Sequence, residues 1–110
     1  MNRVTSIAVL LLAALLEAGG DAIVRKALHH NAYWPRMAMF GVGASILFAY
    51  GYTVNAPKWD FGQLLGLYVV FFFVIAQLMS WLVFKQAPSV AVVVGGSLIT
   101  MGGCVIAFAV

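Results

Sequence analysis

In this chain of 110 residues, 65% are hydrophobic and only 8% are charged, with a mean hydropathy of +1.06, whereas soluble domains carry about 25% charged residues. That balance excludes a soluble domain and leaves room for about four membrane spans of roughly 20 residues each. The net charge of +3 rests on six Lys and Arg residues placed near predicted span ends, so it reports membrane orientation and lipid contact and excludes a nucleic-acid-binding reading.

The predicted fold is therefore an all-α membrane protein: four transmembrane helices with short connections, at about residues 4–25, 37–54, 61–84 and 89–109, forming one domain over residues 1–110. The first span has a second possible reading. Arg3, an apolar run over residues 4–16 and the small residues Ala18, Gly19 and Gly20 also have the outline of a cleavable signal peptide. Glu17 would then stand beside the cleavage site and only three helices would remain, so the segment is read as a span.

Within that span, Leu10, Leu11, Leu12, Leu15 and Leu16 supply the insertion energy that offsets two acids, Glu17 and Asp21. An ionisable group at bilayer depth costs about 2.5 to 3.5 kcal/mol on insertion scales, so each acid needs a partner or a task. At 100° per residue Ala13, Glu17, Asp21 and Arg25 share one stripe, with Gly20 alongside. Arg25 is placed to pair with Asp21 one turn away and to snorkel toward the interface. Glu17, about 12 Å deeper than Arg25 on a 1.5 Å rise, has no such partner.

Residues 25–36 form the first predicted connection, with Arg25, Lys26, His29, His30 and Arg36; Tyr33, Trp34 and Pro35 mark an interface and a helix start. Adjacent histidines point about 100° apart on a helix and no third ligand is near, so they read as headgroup contacts and no metal site is expected. The second span carries Gly41, Gly43, Ala44 and Ser45 as a packing face, then Tyr50 and Tyr52 as an interfacial aromatic belt. The third is apolar all round. Tyr68 shares a face there with Leu64, Leu65, Phe72 and Ile75, while Gln77, Ser80, Trp81 and Phe84 fall roughly opposite. The fourth holds Gly95, Gly96, Gly102 and Gly103, two pairs seven residues apart, which stack into a small-residue seam for helix contact within or between subunits. The single cysteine, Cys104, excludes an internal disulfide. Counting positive charges, Arg3 and Lys58 on one side face Arg25, Lys26, Arg36 and Lys85 on the other, a bias toward an external N-terminus.

Four features together make the chain resemble the small multidrug resistance family, the four-helix branch of the drug/metabolite transporter superfamily. They are Glu17 followed by Gly20 and Arg25; Trp34-Pro35 opening the second helix, with Ala44-Ser45 after it; Ser80-Trp81-x-x-Phe84-x-Gln86 closing the third; and Gly96 with Gly103 in the fourth. The resemblance spans nearly the whole chain. It implies a proton-coupled exporter of small cationic compounds in a bacterial plasma (inner) membrane, working by alternating access of a dimer, homomeric or heteromeric, whose two helix-1 glutamates share a pocket.

Carried over, the resemblance makes Glu17 the acid that binds protons or a cation, Ser45 its hydrogen-bonding neighbour, Tyr68 the ring at the family's helix-3 tryptophan position, and the helix-4 glycines the dimer seam. Val70-Phe71-Phe72 stands where the family has a Gly-x-Gly kink, and Asp21 has no counterpart in the family pattern. Guanidinium-like compounds, polyamines and, as in the flippase relatives, lipid-linked sugars stay open as substrates. So does a different class of function, a non-transporting membrane scaffold or subunit whose acids, with Arg25, only hold helices together. With no nucleophile triad, metal-ligand cluster or phosphate loop in the sequence, neither enzyme activity nor a cofactor is expected.

Overall fold

The computed structural model describes residues 2–108 and contains four helices: α1 (Arg3–Leu28), α2 (Tyr33–Val54), α3 (Phe61–Phe84) and α4 (Val90–Phe108). Each is long and apolar enough to cross a membrane. The last residue of the expected fourth span, Ala109, lies outside the described residues.

Polar side chains set several helix ends. Asn2 Oδ1 accepts the Thr5 N–H at 2.7 Å and caps α1, and Ser89 Oγ accepts the Val92 N–H at 3.2 Å, so Ser89 precedes α4 as its cap. The first connection is shorter than expected. Arg25 and Lys26 belong to the last turn of α1, where cations meet the negative end of the helix dipole and the helix-forming Ala27 and Leu28 carry the chain onward. Tyr33, Trp34 and Pro35 lie inside α2, in a first turn that tolerates proline. Between the two helices His30 Nδ1 accepts the Ala32 N–H at 3.1 Å, a local task in the turn. At the end of α3, Lys85 adopts the left-handed conformation with φ 59°, and the Gln86 N–H returns to the Ser80 carbonyl at 3.0 Å.

The helices form a row in the order α2, α1, α3, α4: α1 packs against both α2 and α3, and α4 packs against α3. The chain is accordingly flat, 50 × 34 × 19 Å. Glycines permit the two outer contacts. At the α1–α2 crossing, a Cβ on Gly20 would lie 2.8 Å from Leu47 atoms, and one on Gly43 would lie 2.7 Å from Val24 Cγ2 and 3.3 Å from the Gly20 carbonyl. At the α3–α4 crossing, a Cβ on Gly66 would lie 2.7 Å from Ile106 Cδ1, and one on Gly103 would lie 3.3 Å from the Gly66 carbonyl. Gly41, expected in the α2 packing face, faces open space instead. The central core joins Leu10, Ala13 and Ala14 of α1 to Leu64, Leu67 and Tyr68 of α3.

Candidate functional site

Glu17 lies near the middle of α1, on the face that meets α3. The nearby α1 residues Ala13 and Ala14 are fully buried, and their small side chains let α3 approach closely enough for a side chain to reach the acid. The Tyr68 hydroxyl donates to Glu17 Oε1 at 2.8 Å. Tyr68 itself is only 4% exposed, so its ring has little freedom to leave.

That ring is the middle member of a stack. Tyr50 of α2 lies on one side at 5.7 Å between centroids and 29° between planes; Phe72, one turn along α3, lies on the other at 6.3 Å and 27°. Glu17, the three rings, Leu65 and Val69 line a pocket of about 240 Å³. Aromatic faces attract cations by about 0.5 to 2 kcal/mol, more as water is removed, and the carboxylate adds a full negative charge. Chemically the pocket is suited to one organic cation or one proton.

The structure brings Glu17 and Tyr68 together, and Tyr50 joins them. The sequence reading assigned Tyr50, with Tyr52, to the interfacial belt; Tyr52 is indeed exposed, whereas Tyr50 turns onto Tyr68. The available signal was the glycine crossing. With Gly20 against Gly43 in antiparallel helices, Glu17 and Tyr50 lie to the same side of the contact. Ser45 does not join the pocket. It is exposed, and its hydroxyl donates to the Gly41 carbonyl at 2.8 Å within its own helix.

Asp21 occupies a different compartment. It lines a cleft of about 200 Å³ between α1 and α3 with Arg25, Ser80, Phe84 and Gln86, and Phe72 borders both this cleft and the Glu17 pocket. Ser80 and Phe84 therefore share a cleft with Phe72, correcting their assignment to an opposite face. Eight and twelve residues are a little over two and three turns, which rotates them only partly away. The expected Asp21–Arg25 ion pair is absent among the described residues. The Arg25 guanidinium lies over the Phe84 ring, 5.4 Å from its centroid, with Lys26 Nζ at 5.9 Å. Spacing allowed the pair, but the arginine reaches outward to the ring at the helix end.

The four glycines of α4 divide between two faces. Gly96 and Gly103 are buried, their Cα positions covered by Phe73 and Val70 of α3, whereas a Cβ on Gly95 or Gly102 would meet nothing within 4 Å. The single stacked seam of the sequence reading is in fact one seam within the chain and one open line beside it, because neighbours on a helix point about 100° apart.

Replacing Tyr68 by Phe keeps the stack but removes the only hydrogen bond seen to Glu17 among the described residues. The expected loss is about 1 to 3 kcal/mol, measured as a lower melting temperature in detergent. In a double-mutant cycle with Glu17→Ala the two losses should not add, since each removes the same contact.

No protein-family model matches the chain, and no solved structure matches it. The UPF0060 membrane protein YfjF of Bacillus subtilis (strain 168) is 33% identical over 106 residues, which cover 94% of each chain.

Proposed function

The chain belongs to the UPF0060 family of membrane proteins, and on that premise we propose that it is a proton-coupled secondary transporter exporting small organic cations by alternating access of a dimer. The observation that carries this reading is the Glu17 carboxylate held by the Tyr68 hydroxyl at the edge of a three-ring stack, near the middle of an integral, multi-pass membrane protein. One carboxyl accommodates a proton or a cation, and mutual exclusion at one site becomes exchange when the site opens to each side in turn. The resemblance to small multidrug resistance proteins supports the same reading, and with it a bacterial plasma membrane.

The incompletely covered acids favour assembly. In a single protomer Glu17 is half-buried and Asp21 exposed; against lipid such groups are costly, and a second copy would cover them. The open line of Gly95 and Gly102 on α4 is a surface on which copies of this chain, or a related chain, can approach closely.

The test is a melting-temperature screen of detergent-solubilised protein with quaternary ammonium, guanidinium and polyamine cations at several pH values. A bound cation raises the melting temperature by mass action, and the gain should shrink as pH falls because protons compete for Glu17. No shift with any cation at any pH would defeat the proposal and favour a membrane scaffold.

A further inference from the structure

The cleft beyond Phe72 contains something the Glu17 pocket lacks, one acid and one base that do not neutralise each other. Asp21 and Arg25 are one turn apart on α1, about 6 Å along its axis. Both line the cleft, yet the guanidinium rests on Phe84 and no cation is paired with Asp21 among the described residues. On the facing wall, the left-handed turn at Lys85 folds the chain back so that Gln86 joins Ser80. Ser80 Oγ has only long contacts to Gln86, 3.3 Å to its carbonyl and 3.4 Å to Oε1, which leaves its hydrogen-bonding capacity nearly free. Ala76 and Phe72 make the inner end apolar.

Such a cleft discriminates by repulsion as well as attraction. A simple cation drawn to Asp21 meets Arg25, and a simple anion drawn to Arg25 meets Asp21. A molecule carrying both charges satisfies both. We propose that this cleft binds a zwitterion with a primary ammonium and a phosphate or carboxylate, the ammonium on Asp21 and the anion on the guanidinium fork of Arg25, with Ser80 and Gln86 hydrogen-bonding between them. The position of Arg25 in the last turn of α1 sets the cleft at headgroup depth, where a zwitterionic lipid headgroup and a dissolved amino-acid-like or phosphoethanolamine-like solute offer the same groups.

The test is lipid retention by the purified full-length protein in native mass spectrometry, using phosphatidylethanolamine, phosphatidylcholine and phosphatidylglycerol with identical acyl chains. Phosphatidylethanolamine should bind at least tenfold more tightly than either: the choline ammonium cannot donate hydrogen bonds to Asp21, and the glycerol headgroup has no cation. Asp21→Asn and Arg25→Gln should each abolish that preference. Lys26→Gln, which removes the same charge as Arg25→Gln from a side chain that meets the Phe84 ring but does not line the cleft, should preserve it. Competition by soluble O-phosphoethanolamine at low millimolar concentration would identify a dissolved zwitterion as the ligand, and absence of competition the lipid headgroup; either outcome supports the zwitterion site. Equal retention of the three lipids by the wild type, which needs no folded variant, would overturn the proposal, as would an equal loss of preference in Lys26→Gln and Arg25→Gln.

Discussion

Glu17→Gln should abolish both proton release on cation addition and pH-driven cation uptake in proteoliposomes, while leaving the fold in place. The amide has nearly the shape of the carboxyl, and its oxygen can still accept from the Tyr68 hydroxyl that now reaches Glu17 Oε1 at 2.8 Å. What the substitution removes is the charge and the titration. In the wild type, cation binding should weaken as pH falls, because a protonated Glu17 offers no charge to the ligand. In the variant, binding should be weak and flat with pH, leaving only the attraction of the Tyr50, Tyr68 and Phe72 rings. Uptake should fall to that of protein-free liposomes. Full transport by the variant would end the transporter reading. If the acid only holds helices together, the same substitution should instead lower the melting temperature or disrupt assembly, with no cation response in the wild type to lose.

Elements of the site that follow from period and depth are legible in the sequence. A charge-poor chain with four long apolar runs specifies four spans, and the 100° step of a helix places Glu17 on the polar stripe of α1 without a basic residue one turn away. Tyr68 is legible as a member of one α3 face with Leu64, Leu65, Phe72 and Ile75, but a helix that is apolar all round does not show which face meets α1. The remainder depends on which helices meet and at what height, and that is long-range information. Tyr50 and Tyr52 look equivalent in sequence, but only Tyr50 turns toward α3, at a height set by the Gly20–Gly43 crossing. Gly66 carries no signal of its own until α4 lies across it with Ile106 and Gly103. Spacing showed that Asp21 and Arg25 can pair; it could not show that Phe84, at the far end of another helix, holds the guanidinium. Ser45 entered the site only through the family resemblance, and here its hydroxyl bonds back to Gly41 within α2.

The division of the α4 glycines leads to the second large expected effect. Gly103→Val should destabilise the folded chain by about 1 to 3 kcal/mol, the usual cost of forcing extra atoms into a packed contact. A Cβ there runs into Val70 Cγ2 and would lie 3.3 Å from the Gly66 carbonyl. Neither neighbour yields easily, because Val70 is β-branched and stiff at χ1 and the carbonyl belongs to the α3 backbone. The valine side chain can be accommodated only if α4 moves away from α3, its one packing partner among the described residues. Gly102→Val is the matched comparison, the same substitution one residue earlier on a face where a Cβ meets nothing within 4 Å. It should leave the stability of the monomeric protein in detergent, read from its melting curve, unchanged within about 0.5 kcal/mol. Crosslinking in vesicles then separates the two faces: Gly102→Val should reduce dimer yield if the open line on α4 is where copies meet, whereas Gly103→Val should reduce it only in proportion to the folded protein that remains. Equal melting temperatures for the two variants would mean that α4 is not held to α3 through Gly66 and Gly103.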